Sequence, residues 1–557
     1  MTGTIFPLRA KPHQFALRNA VVALVAIVPV SVWADAHTDA ALARRLDSLE
    51  QTVQVQSRQI AKQAELISVQ QEKIDVLTNS QGDIAALPDR IASVETEVLD
   101  ARTAQIDRAK VQMTQARATV SSADNRFTFS PRAVVQLDAA SYNQSDRPLA
   151  KDYRRGSIGS AGNRETSAAG DLSNGAYFRR ARFGFEGTFD RDFNYRIMLE
   201  LGGSGTEGPT RINDAWLNYS ALAPFTVQVG AFSAPASLSD GTSPEDSLFS
   251  ERPTVAEVSR TFAGADGRIG FGARYDATRG MWAITATTRT VNDPEVFDSQ
   301  FAVVGRTSWL VASSDAFDNG YNVHVGASGS YIIQAPDAGR TAGAARYALR
   351  LRDRPEIRVD STRLIDTGPI DAAHASVVGV ELASNWRNFF LQGEHFWFDF
   401  AGNAPVTSKD LSFKGWYVEG SWVMTGESRR YNVRSGSFQN PRPAISFSPT
   451  QAGWGAWELA ARFSHMDLDD HAGRPGEPLP AGGVRGGTQS IRSVGLNGYL
   501  TPNVKVMLNF LDISVSRLNP AGPGALTPFG TGAATPPPGV DVGQNLKVWT
   551  MRTQYSF

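Results

Sequence analysis

The chain has 557 residues, with 55 basic and 56 acidic side chains and a formal charge of −1. A hydrophobic fraction of 41% with 10% aromatics excludes a disordered chain, and the near-zero charge excludes a polybasic nucleic-acid binder. With no cysteine, a disulfide framework, a thiolate metal site and a cysteine nucleophile are all excluded.

The first segment reads as an address. Arg9, Lys11 and Arg18 precede an apolar run from Ala20 to Val30, and small residues follow at Ala34 and Ala36. That order is the layout of a secretory signal, 1–34, cut after Ala34 or Ala36. The run is about 11 residues, short of the roughly 20 a spanning helix needs. The mature chain is therefore expected beyond the inner membrane.

Next, 38–120 reads as helical and periplasmic. From Leu42 the apolar and Gln positions step by four and three: Leu42, Leu46, Leu49, Val53, Gln56, Ile60, Gln63, Ile67, Gln70, Ile74, Leu77. This is a coiled-coil seam about 50 Å long. The three glutamines form polar layers that fix register, and the β-branched residues opposite them favour three strands. Gly82 and Pro88 interrupt the pattern. A second helical stretch is expected from about 91 to 118, with 121–125 as a linker.

From 126 to 557 the period changes to two. In 176–189 one face carries Ala181, Phe183, Phe185 and Phe189, the other Arg180, Arg182, Gly184, Glu186 and Thr188. After the link Asp190, Arg191, Asp192, the next run sets Phe193, Tyr195, Ile197, Leu199 and Leu201 against Asn194, Arg196, Met198 and Glu200. The scheme recurs around Trp416, Trp457 and Val504 and ends at Phe557. Charges of both signs on the polar faces, aromatics near strand ends, and alternation of short with long links fit a transmembrane barrel better than a soluble sandwich. The fold class is all-β: a transmembrane antiparallel β-barrel of about 16 strands, preceded by a coiled-coil helix.

Several segments carry a family likeness: GAYFRRARFG at 175–184, NDAWLNY at 213–219, GAFSAP at 230–235, ERP at 251–253, RPE at 354–356, TG at 367–368, FKGWY at 413–417 and TGESR at 425–429. Through these the chain from 126 onward resembles the phosphate-selective porins O and P. The resemblance implies a trimeric, sixteen-stranded, arginine-lined outer-membrane channel for anions such as phosphate or pyrophosphate. The sequence departs from that family in its lysines, which help bind phosphate there: the barrel has only Lys151, Lys409, Lys414, Lys505 and Lys547.

An arginine on the lipid face costs roughly 2–4 kcal/mol at the midplane, so alternation places arginines inward. The pore-lining candidates are Arg180, Arg182, Arg196, Arg268, Arg274, Arg306, Arg462 and Arg552, with Arg132 and Arg492 as further ones. The long connection 233–263 adds Arg252, Arg260, Ser237 and Ser239, suited to replacing the hydration shell of an oxyanion if the loop folds inward. The competing reading pairs these arginines with Asp138, Asp214, Glu186, Glu200 and Glu458, bracing the wall. A Pro- and Gly-rich stretch, 519–544, reads as a flexible outer loop.

No histidine pair has metal-ligand spacing, and no nucleophile elbow or P-loop occurs. His395 reads as a wall or girdle residue. No enzyme and no cofactor is expected. Besides an anion channel, a general porin of low selectivity and a structural tether remain open. In the tether, the coiled coil would bind peptidoglycan while the barrel sits in outer-membrane lipid.

Overall fold

A computed structural model describes residues 36–79, 96–97, 109–144 and 172–557, apart from the short stretches 115–116, 204–209, 266, 293–298, 315–319, 337–347, 403–408, 451 and 521–537. The signal segment, Lys151 and most of the stretch 519–544 lie outside the described residues. The chain forms two units, 1–102 and 103–557.

In the first unit, Ala36–Asn79 is one unbroken helix of 44 residues. Of its heptad residues, Val53, Ile60 and Ile67 are exposed. A stripe of this kind needs a partner helix to bury it.

The second unit opens with a correction. Part of the stretch expected to be helical is a hairpin, Lys110–Thr114 paired with Arg117–Ser121. Val111 and Met113, like Ala118 and Val120, sit two apart, and a short period-two pattern was overridden by the helix-favouring composition around it. The hairpin continues through a turn into the first barrel strand, Thr128–Gln144, pairing at Val120↔Phe129 and Ser121↔Thr128. The linker is thus only that turn.

Sixteen antiparallel strands follow, and the barrel closes where Gln544–Ser556 pairs with Thr128–Gln144. The expected faces hold. Phe178, Phe183, Phe271, Leu382, Trp549 and Met551 lie exposed on the outside, while Gln136, Glu200, Glu381, Glu458 and Arg552 are buried within. This inverts a soluble protein and is what lipid outside and water inside select. Asp190 and Arg191 adopt positive φ of 50° and 65°, the backbone a tight hairpin turn requires. A row of stacked rings, Trp386, Phe389 and Trp422, lies at the end of the barrel that carries such short turns.

The wall is uneven. Phe193–Glu200, Arg211–Tyr219, Phe225–Phe232 and Arg268–Asp276 have 8 or 9 residues. Opposite them, Ile370–Trp386 and Val484–Thr501 have 17 and 18. A strand crosses a bilayer with about 9–11 residues, so the tall side projects past it.

Candidate channel site

Three connections fold into the barrel. The first, 233–267, carries the helices Leu238–Gly241 and Thr254–Ala263. The longer helix presents Val255, Val258 and Phe262 to an inner wall that is itself apolar at Phe396, Phe398, Phe400 and Phe413. Sequence alternation pointed to a polar lumen throughout. It missed this patch, although Phe396, Phe398 and Phe400 make the inward parity apolar there, the one available signal. Polar contacts fasten the rest of the loop. Glu394 accepts from the backbone N–H groups of Leu238 and Ser239 at 2.8 and 3.0 Å. Asn509 donates to Ser250 at 2.7 Å, and Lys505 to the Ser247 carbonyl at 2.7 Å.

The second connection, 335–369, packs above the first. Glu356 takes the Thr254 N–H at 2.8 Å, the Ser464 hydroxyl at 2.6 Å and Arg462 at 2.5 Å. The third, 424–455, enters from the short-turn end. Arg429 binds Glu458 at 2.7 Å, the Ser437 hydroxyl donates to the Gly241 carbonyl at 3.0 Å, and Asn440 donates to the Glu245 carbonyl at 2.7 Å. Loop and strap therefore meet inside the lumen. Nothing in the period-two pattern marked the strap, because a link at the short-turn end was expected to be short.

Open space remains along the low wall. A polar cavity of about 520 Å³ is lined by five guanidiniums, Arg117, Arg132, Arg182, Arg196 and Arg252, together with Asp214, Asp240, Glu245 and Asp246. Two carboxylates organise the surrounding charge. Glu186 receives Arg117 and Arg196 at 2.5 Å and Arg132 at 3.4 Å. Glu251, deeper in the loop, receives Arg179 at 2.6 Å, Arg552 at 3.1 Å and Arg358 at 3.3 Å. Glu186 thus faces three positive charges, whereas two of the three on Glu251 are shared, Arg552 with Asp138 and Arg358 with Glu257. Burial alone would raise the Glu251 carboxyl, but Arg179, Arg358 and Arg552 hold it well below the ordinary range. Burial opposes Arg260 and Arg358 at Glu257 in the same way, and they hold it down to about 2. At Asp246 burial wins over the Asn440 N–H and pushes the carboxyl up.

The candidates divide accordingly. Arg182, Arg196, Arg132 and Arg252 border the cavity. Arg182 is held by Glu200 at 2.7 Å, and Arg252 donates to the carbonyls of Ser239 and Thr242 at 3.0 and 3.2 Å. Arg180 is buried, donating to Gln136 at 2.6 Å. Arg306 is buried on Glu381 at 2.8 Å and on the carbonyls of Ser435 and Gly436. Arg462 and Arg552 are buried, on Glu356 and on Asp138 at 2.6 Å respectively. Arg260 is locked to Asp240 at 2.7 Å and Arg274 to Asp276 at 2.5 Å. Arg268 brackets the loop through the Gly264, Thr288 and Thr261 carbonyls. Ser237 caps Leu238–Gly241 by accepting from Asp240 N–H at 3.1 Å, and Ser239 is buried. Arg492 is on the outer face, exposed, 3.8 Å from Asp512.

Interior arginines that escaped sequence reasoning include Arg358 and Arg429 on the inward connections, and Arg117 and Arg179. Gln136 pairs with Arg180 and Leu137 with Phe178, so Arg179 is an extra, bulged residue of its own strand and faces inward beside Arg180. Arg117 arrives on the hairpin read as helix.

A family model for "Phosphate-selective porin O and P" matches residues 159–526. The chain belongs to that family. This porin is 23% identical over 422 residues to Porin O of Pseudomonas aeruginosa, covering 73% of this chain and 87% of that protein. Among solved structures, an anion-selective porin from Comamonas acidovorans aligns over 77% of this chain and 100% of its own, at 11% identity and a TM-score of 0.42. OmpT of Vibrio cholerae, in its trimer form, aligns over 77% and 99% at 10% identity and a TM-score of 0.40. The porin described here is accordingly an outer-membrane barrel with an internally constricted lumen.

Proposed function

We propose that this porin passes small anions by diffusion through the space along its low wall, with the short-turn end in the periplasm. The carrying observation is the charge arrangement beside the cavity: three guanidiniums, Arg117, Arg132 and Arg196, share the one Glu186 carboxylate, and the lining itself holds five guanidiniums against four carboxyl groups. Guanidinium forks match planar and tetrahedral oxyanions, so phosphate and pyrophosphate fit the lining. Passage needs sites that hold and release, and Arg132, Arg182, Arg196 and Arg252 supply neighbouring ones. The family resemblance supports a homotrimer.

A weakly selective porin is the second reading, favoured by the pairing of Arg306, Arg462 and Arg552 with carboxylates. Reversal potentials across a planar bilayer in a KCl gradient decide between them. A potential on the anion side, with chloride current reduced by added phosphate, supports the first; equal permeability at low salt refutes it. The exposed seam of Ala36–Asn79 supports a coiled coil that spaces or tethers the barrel from the cell wall.

A further inference from the structure

The outside of the tall wall is not uniformly apolar. Across four strands, Val325, Leu382, Leu391 and Val418 border a groove of about 640 Å³. Its floor is Gly393, where an added Cβ would come within 2.8 Å of the Tyr417 carbonyl oxygen. The groove thus depends on a missing side chain, flanked by larger ones. At its upper end stand His395 and Trp416, opposite each other in register, and one pleat further Trp397 stands opposite Lys414. The His395 ring lies 4.2 Å from that of Trp397, and its Nε2 is buried without a hydrogen-bond partner.

Lys414 is exposed, outward-facing and free of any ion pair or hydrogen bond among the described residues. Asp467 is its register partner on the next strand but lies beyond ion-pair distance. Eight residues separate Lys414 from Trp422 in the aromatic row at the short-turn end. That is roughly 26 Å along the strand, or about 20 Å of height at the usual tilt, most of the way across an outer-membrane apolar band of about 25 Å. The backbone of Lys414 therefore lies near the upper edge of the hydrocarbon, and its four-carbon stem carries the ammonium to the level of the headgroups. A lone ammonium is stable there only with an anionic partner or water.

We propose that this groove and Lys414 form a binding site for one lipid of the outer leaflet that carries a phosphorylated glycan headgroup. An acyl chain would lie over Gly393 between Leu382 and Val418, and a headgroup phosphate would meet the Lys414 ammonium. A second copy of the chain is the less favoured occupant, because Lys414 calls for an anionic group and a copy bringing the same face would bring a second ammonium. The inference rests on the membrane-spanning reading of the barrel, not on its ion selectivity.

The test is native mass spectrometry of the full-length protein in detergent, titrated with bis-phosphorylated lipid A and with its dephosphorylated form. Wild type should bind the phosphorylated form about tenfold more tightly, the worth of one charge-assisted hydrogen bond. Lys414→Gln should lose that preference, and Leu382→Trp, which fills the groove, should weaken both lipids alike. Conductance should be unchanged in Lys414→Gln, since the residue is outside the lumen. Equal binding of the two lipids by wild type, or an unaltered preference in Lys414→Gln, overturns the site. So does an altered subunit association in Lys414→Gln with lipid binding intact, which would make the face an interface between copies. A conducting barrel that retains no lipid A sinks this site alone and leaves the channel reading standing.

Discussion

At the scale of single residues, interior arginines differ by what they meet: Arg182, Arg306, Arg462 and Arg552 meet carboxylates, whereas Arg180 meets an amide and Arg268 backbone carbonyls. Arg552 bridges Asp138 and Glu251 across the closing strand pair, with every donor atom out of solvent. Removing it strands buried negative charge, so Arg552→Ala should cost on the order of 3–5 kcal/mol, read as a lower unfolding temperature in detergent. Asp138→Ala in the same chain should restore part of the loss. Arg132 is different. It is the most distant of three arginines on Glu186, and its Nε has no partner. Arg132→Glu should leave the fold intact and lower the anion permeability roughly fivefold, the effect of two charge units acting at about 8 Å in water, while the cation permeability rises in step. A ratio unmoved by this change would count against the cavity as the ion path. Alternation in the sequence showed which way Arg182, Arg196 and Arg552 point. It could not show what they touch, because Arg552 and Asp138 are 414 positions apart and a face is local while a pair is not.

At the scale of elements, the lumen is set by three inward segments. The strap contributes Ser435 and Gly436 carbonyls to Arg306 and a Ser437 bond to the loop. Replacing 430–439 by a short turn should raise single-channel conductance while the barrel still folds; an unchanged conductance would show that the strap stands outside the path. The second loop holds an acid under strain. Burial pushes the Asp353 carboxyl up to about 7, with Arg358 opposing and Glu257 adding to the shift. A carboxyl raised above its unfolded value favours the folded state when protonated. The loop's hold should therefore weaken as pH rises from about 4 to 7 and stay weak above that. Protease cleavage within the loop should be on the order of tenfold faster at pH 8 than at pH 5, and Asp353→Asn should flatten the profile. Strands were legible in the sequence because each carries its own period; inward loops were legible only as long connections. The bulge that turns Arg179 inward was invisible, since one extra residue shifts parity without changing composition.

At the scale of the whole molecule, closure is sealed by backbone. Phe557 exchanges N–H and carbonyl with Ala133 at 3.1 and 3.2 Å, so the last residue is part of the seam. A closed barrel has no edge from which to unzip, and the protein should migrate faster on gels before heating than after. Deleting Phe557 should lower its yield in the outer membrane. The helix should associate independently of the barrel. A peptide spanning Asp39–Thr78 that sediments as a helical trimer would account for the stripe at Val53, Ile60 and Ile67; a monomeric coil would show that the stripe needs the barrel's help.

The division of cations between the faces has a practical consequence. Among the described residues, Lys409, Lys414 and Lys547 are exposed on the outside of the barrel or its rim, and Lys62, Lys73 and Lys110 precede it. The exception, Lys505, is buried with its Nζ on the Ser247 carbonyl. Everything cationic around the aqueous cavity is guanidinium. Reagents that acylate primary amines would therefore decorate the exterior while leaving the permeation path chemically untouched. Dyes or surface anchors attached in this way should give labelled channels whose current is that of the native protein, and arginine-directed dicarbonyls should do the opposite.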